Sequence, residues 1–241
     1  MTMAKTESSL KNMFLTLLVI ALIAGTSLGF VYKFTKAPIE ASKLAKQQAA
    51  IKKVLPAFDN DPASEAYELT SEEGYVLKVF PAKKGDELVG VAVESITNKG
   101  FSGEIKIMVG MQPDGTIINY DILEHKETPG LGSKMAEWFR PADTKADVSE
   151  SEKPSFFKWL YGIKGGGGGN RSIIGKNPGT TNMTVSKDGG DIDAITAATI
   201  SSRAFLDAIR VAYTTYINNQ KSTTDETVSV SIDIQEGVNN E

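Results

Sequence analysis

The chain is 241 residues long, with a formal net charge of −4 and a sequence pI near 5.3. That acidic balance disfavours nucleic acid as a partner, because a phosphate backbone demands a basic footprint. With no cysteine, disulfides, thiolate metal sites, iron–sulfur clusters and lipid-modified Cys are excluded; with one histidine, His125, so is a multi-His metal site within one chain.

Met13–Tyr32 is uncharged and holds eleven Leu, Ile, Val or Phe residues between Lys11 and Lys33. At about 1.5 Å per residue, such a helix spans about 30 Å, the hydrocarbon thickness of a bilayer. A cleaved signal peptide is the rival reading, but the run is long for an h-region and no A-x-A site follows it. The sequence therefore predicts a short segment over 1–12 and a retained, single-pass transmembrane helix over 13–34. Gly25 and Gly29, four apart, would let a second helix approach closely. Lysines crowd the C-terminal side of the span, which by positive-inside counting puts the large domain in the cytoplasm. Long domains translocate largely regardless of charge, so the charge pattern leaves the side open.

Pro38 is expected to open a helical stretch, Glu40–Leu55, that Pro56 stops, giving a helical connector over 35–58. Residues 59–73 are polar and read as a loop. Four strand patterns follow: Tyr75–Phe80, Glu87–Ile96, Glu104–Gly110 and Thr116–Leu123, separated by Gly and Asp turns. They predict a mainly antiparallel sheet within an α+β domain over 59–220. After Glu127–Gly132 (ETPGLG) comes a short apolar-periodic run, Lys134–Phe139. Residues 140–182 carry little pattern. The five glycines Gly165–Gly169 suggest a phosphate loop, but Asn170 and Asn177 stand where the P-loop motif needs Gly and Ser or Thr, so a flexible loop is expected. Thr184–Lys187 is a candidate strand. Phe205, Ala208, Ile209, Ala212, Tyr213, Tyr216 and Ile217 recur at helical spacing and mark an amphipathic helix with flanking packing. Residues 221–241 form an acidic C-terminal tail, in which Val228–Ile234 reads as an edge strand or as disorder.

Thr196, Thr199, Ser201 and Ser202 crowd the entry to that helix, beside Ala197 and Ala198. Backbone amides and the positive end of the dipole gather at such a place and favour an anion, phosphate above all. Helix capping is the simpler reading, but it needs only one hydroxyl. A Thr hydroxyl is a poor nucleophile without a base, and the stretch contains none, so a separate enzyme would have to modify it.

The run Asp193-x-x-Thr196-Ala197-Ala198-Thr199 resembles the D-x-x-[ST]-G-A-T motif of the FMN-binding domain family. The resemblance implies that Thr199 carries FMN as a phosphoester, attached by a flavin transferase. It places Asp193, Thr196, Ala197, Ala198, Ser201 and Ser202 around the cofactor. Ala197 departs from the usual Gly and narrows the backbone options there. His125–Gly132 resembles the family's H-x-ETPGLG loop, so Glu127, Thr128, Pro129, Gly130, Leu131 and Gly132 are expected against the flavin. Taken alone, that loop reads as a structural turn with Leu131 buried. The order of anchor, β-rich domain, loop and threonine motif is similar to G subunits of Rnf-type electron-transport complexes, and also to C subunits of sodium-pumping NADH:quinone reductases. That similarity implies an electron carrier without turnover of its own, neighbouring membrane subunits, and a place in the bacterial inner (cytoplasmic) membrane. The large domain is then extracytoplasmic, and the complex moves electrons between ferredoxin and NAD coupled to ion pumping. No catalytic side chain and no metal are implied. A non-redox membrane-tethered binding or scaffold module is the alternative. His125 is expected in the loop or flavin pocket, and Trp138 and Trp159 in packing.

Overall fold

A computed structural model describes residues 9–141 and 170–238, with the side chains of 223–238 left aside. Gly165–Gly169 and Trp159 lie outside the described residues. The chain divides into two compact units, 1–46 and 47–241.

The first unit is the leading part of α1, Leu10–Val54, a single helix of 45 residues. Every residue from 9 to 46 is exposed, including Phe14, Leu17, Ile20, Ile23 and Phe30. By length and composition, α1 can cross a membrane. Thr16, Thr26 and Thr35 each donate a hydroxyl hydrogen bond to the carbonyl four residues earlier, which satisfies these groups inside an apolar helix. Pro38 does not open a new helix but sits inside α1. It removes one backbone donor, yet the helix-forming residues around it, Ala37, Glu40 and Ala41 among them, carry the helix through.

The second unit is built on a five-stranded antiparallel meander in sequence order: β1 (Tyr67–Thr70), β2 (Val76–Lys84), β3 (Glu87–Gly100), β4 (Gly103–Met111) and β5 (Ile117–His125). Period-two alternation divides its side chains between two faces. After β5 come the one-turn helix α2 (Met135–Trp138) and the long helix α3 (Thr199–Val238). Leu77, Val79, Val91, Val93, Ile105, Ile107 and Val109 join the main core, which includes Phe205, Ala208, Ile209, Ala212 and Tyr216 of α3. Phe80, Ala82, Ala92 and Met108 turn the other way, onto Ala50, Ile51, Val54 and Leu55 near the end of α1. A Cβ on Gly110 would run into the backbone carbonyl of Val54, so only glycine permits this approach. The buried Ser95 hydroxyl donates to Ala208 O at 2.8 Å, fixing β3 against α3. Phe139 stacks on Phe205 at 4.6 Å, and Tyr120 meets Phe205 edge-on at 5.0 Å. Burial raises the Tyr120 phenol far above its usual value, and its hydroxyl donates to Met135 O.

Three further expectations are corrected. The polar stretch 59–73 contains β1, a four-residue edge strand paired with β2. Thr184–Lys187 forms no strand: one isolated parallel bridge joins Val185 to Ile192, and a 3₁₀ turn covers Ser186–Asp188. Val228–Ile234 forms no strand: it lies within α3, which runs to Val238.

Candidate functional site

The hydroxyl-rich run lies at the start of α3, with Thr199 as its first residue. The first helical bond runs from Ser202 N to Ala198 O, at 3.0 Å. The amides of Thr199, Ile200 and Ser201 therefore lie ahead of the ladder, at the positive end of the dipole. Ala197 has φ = 62°, the one positive φ at a non-glycine among the described residues. The chain turns through the left-handed region there and then enters the helix.

The four hydroxyls divide by environment. Ser202 is fully buried: its Oγ accepts from Ile195 N at 2.9 Å and donates to Ala198 O at 3.0 Å, binding the turn to the helix. Ser201 is also buried, and its Oγ donates to Glu127 Oε2 at 2.6 Å. Thr196 is exposed and Thr199 half-buried. Two hydroxyls thus hold the local structure, while two remain in reach of a ligand. Asp193 is half-buried; its carbonyl accepts from the Trp138 indole N–H at 2.9 Å. That ring packs against the core and carries the Arg171 guanidinium at 4.7 Å from its centroid.

The Ser201–Glu127 bond joins the threonine run to the ETPGLG loop, 74 residues away in the chain. Glu127 is only 4 % exposed. Its Oε1 accepts from Ser102 N at 3.1 Å in the β3–β4 turn. Its own N–H donates to His125 Nδ1 at 3.2 Å, at the end of β5. A Cβ on Gly132 would lie 2.5 Å from Ser201 Oγ and 2.6 Å from Glu127 Oε2, and one on Gly100 would lie 2.6 Å from Glu127 Oε1. Gly103 O, closer still to that Cβ on Gly100, narrows the space further, so both positions have room for glycine alone beside the carboxylate and its neighbours. Thr128 O accepts from Leu131 N and Ser133 N, and Gly130, at φ = 75°, donates to Ser133 Oγ at 2.9 Å. Thr128, Pro129 and Gly130 are exposed. Leu131 is 41 % exposed, not buried as a purely structural turn would have it.

Ser102 was not legible as a residue of this corner. Phe101 is 67 % exposed, and Ser102 lends its amide to Glu127. The available signal was the Gly100-x-x-Gly103 spacing between two strand patterns, which marks a tight hairpin.

Beside the helix start, from Ile200 onward, runs a groove of about 360 Å³ lined by Lys99, Arg203, Asp207 and Arg210. Its cations are paired. Arg203 forks onto Asp188 at 2.6 and 2.7 Å, Arg210 meets Asp207 at 2.6 Å, and Lys99 meets Asp207 at 2.8 Å and Glu73 at 2.9 Å. Asp207 and Glu73 together raise the Lys99 ammonium above its usual value. Among the described residues, no cluster of His, Cys, Asp and Glu could hold a metal ion.

A half-buried threonine at the head of a long helix, with free approach over Thr196 and Ala197, suits a phosphate group. The α+β fold is that of an FMN-binding domain: the model of that family matches residues 100–214, from the β3–β4 hairpin through the ETPGLG loop and into α3. The chain is 32 % identical over 214 residues to the G subunit of the ion-translocating oxidoreductase complex of Vibrio atlanticus (strain LGP32), covering 83 % of this chain and 88 % of that one. It is 32 % identical over 201 residues to the corresponding G subunit of Salmonella typhi, covering 80 % and 85 %, and 29 % identical over 198 residues to that of Cereibacter sphaeroides, covering 81 % and 79 %. The chain belongs to the family of G subunits of ion-translocating oxidoreductase complexes.

Proposed function

We propose that this chain is the FMN-carrying subunit of an Rnf-type ion-translocating complex, held in the bacterial inner membrane by α1, with FMN joined through a phosphoester to Thr199. The observation that carries this reading is the Ser201–Glu127 bond at 2.6 Å, which draws the threonine run and the ETPGLG loop into one site. Bound FMN would supply one- and two-electron redox chemistry, for which this chain has no side chain. Thr199 would hold the phosphate, assisted by the helix-start amides. Exposed Thr128, Pro129 and Leu131 would border the cofactor, and Ser202 and Trp138 would fix the turn that presents Thr199. No side chain near Thr199 is assigned as a base, so a flavin transferase makes the ester bond. Other subunits of the complex would deliver and remove the electrons, passing them between ferredoxin and NAD.

Intact-mass measurement on the full chain, produced with a flavin transferase, tests the attachment. The expected gain is one FMN less one water, lost in Thr199→Ala and kept in Thr196→Ala. An unmodified wild-type mass under those conditions overturns the reading.

A further inference from the structure

We infer that Glu127 acts on the cofactor site through its charge as well as its hydrogen bonds, holding the potential of the attached flavin low. This rests on FMN being carried at Thr199. Glu127 is 4 % exposed, with one oxygen bonded to Ser201 Oγ at 2.6 Å and the other to Ser102 N at 3.1 Å. Among the described residues no cation forms an ion pair with it, although Lys99, Arg203 and Arg210 on neighbouring segments each have an acidic partner. A carboxylate so placed is costly without a counter-charge.

The clamp itself does not need that charge. A glutamine amide could accept from Ser102 N with its oxygen and donate to Ser201 Oγ with its nitrogen, at the same volume. What a glutamate adds over glutamine is a fixed negative charge in a low-dielectric place, where its field is felt most. Ser201 lies two residues beyond Thr199, within the first turn of α3. Two-electron reduction of FMN by an external low-potential donor, such as dithionite, brings one proton with the electron pair and leaves one added negative charge on the cofactor. The Glu127 carboxylate opposes that added charge. Ser201 partly offsets the opposition, because its hydroxyl donates to the same carboxylate. Glu127 is thus a positioning residue that also biases the redox balance.

The test is a dithionite titration of the full FMN-loaded chain in equilibrium with a reference dye of known potential, followed by flavin and dye absorbance, for wild type, Glu127→Gln and Ser201→Ala. In Glu127→Gln the reduced-to-oxidised ratio at a fixed potential should rise about tenfold or more, a positive shift of about 30 mV for a two-electron couple. In Ser201→Ala the shift should be negative, because the charge loses its closest donor. Unchanged potentials in both loaded variants overturn the inference and leave the flavin assignment intact. Should Glu127→Gln fail to load, the Ser201→Ala shift decides. If neither loads while wild type does, the pair serves attachment and the charge role is overturned. Absence of FMN from wild type counts against the flavin assignment itself.

Discussion

Ala197 shows how one methyl can oppose a turn. Its φ of 62° lies where an L side chain is disfavoured by about 1–2 kcal/mol, and the family motif usually has Gly at this position. Ala197→Gly relieves that strain but gives back part of it as unfolded-state entropy, so a net gain of about 1 kcal/mol is expected. Thermal unfolding should show a higher midpoint with the FMN mass adduct retained; a lower midpoint would mean that the Ala methyl makes contacts worth more than the strain. The departure from the motif could be read in the sequence, whereas the left-handed backbone that gives it an energetic meaning could not. The bond between Ser201 and Glu127 was equally hidden, because 74 residues separate the partners and no local pattern pairs them. Crowded hydroxyls marked the place, but which of them faces inward depends on the packing of α3.

The elements were legible where burial imposes a period. β2 to β5 stand out as apolar-rich runs between Gly and Asp turns because the sheet is covered on both faces, and Phe205–Ile217 repeats at helical spacing because one side of α3 lies on that sheet. β1 escaped notice because Tyr-Glu-Leu-Thr at an exposed edge needs no apolar alternation. Pro38 misled because proline is a strong breaker signal, yet a helix of 45 residues absorbs one lost hydrogen bond. The docking of α3 also has a pH signature. Burial pushes the Tyr216 phenol up to about 12, with Tyr67 adding to the effect. A phenol whose folded value lies above its unfolded value near 10 contributes stability that is fully present below pH 10 and is lost as pH rises from there towards 12. Denaturant unfolding at pH 9 and pH 11 should show this loss, reduced in Tyr216→Phe; equal losses in both proteins would assign it to other groups.

At the scale of the whole molecule, charge and kinship point to opposite sides of the membrane. Lysines following the apolar span argue for a cytoplasmic domain, whereas the resemblance to Rnf-type subunits argues for an extracytoplasmic one, and we propose the latter. The covalent tether proposed at Thr199 would suit that side, where a lost cofactor could not be replaced. Protease added to spheroplasts should digest the domain without lysis; full protection until lysis would put the domain in the cytoplasm and reverse the proposal. The anchor was readable because a bilayer imposes a length and an apolar composition on the chain, and the side was not, because charge counts govern large domains only weakly.

The three segments that meet at Glu127, the β3–β4 hairpin, the ETPGLG loop and the head of α3, come from distant parts of the chain and share one acid. Should the hairpin or the helix head arrive late, that acid lacks one of its two donors. Assembly of this corner is consequently cooperative. With Thr199 as the proposed attachment point, an enzyme that recognises it would act on finished domains rather than half-folded ones, so that loading would double as proofreading of the fold.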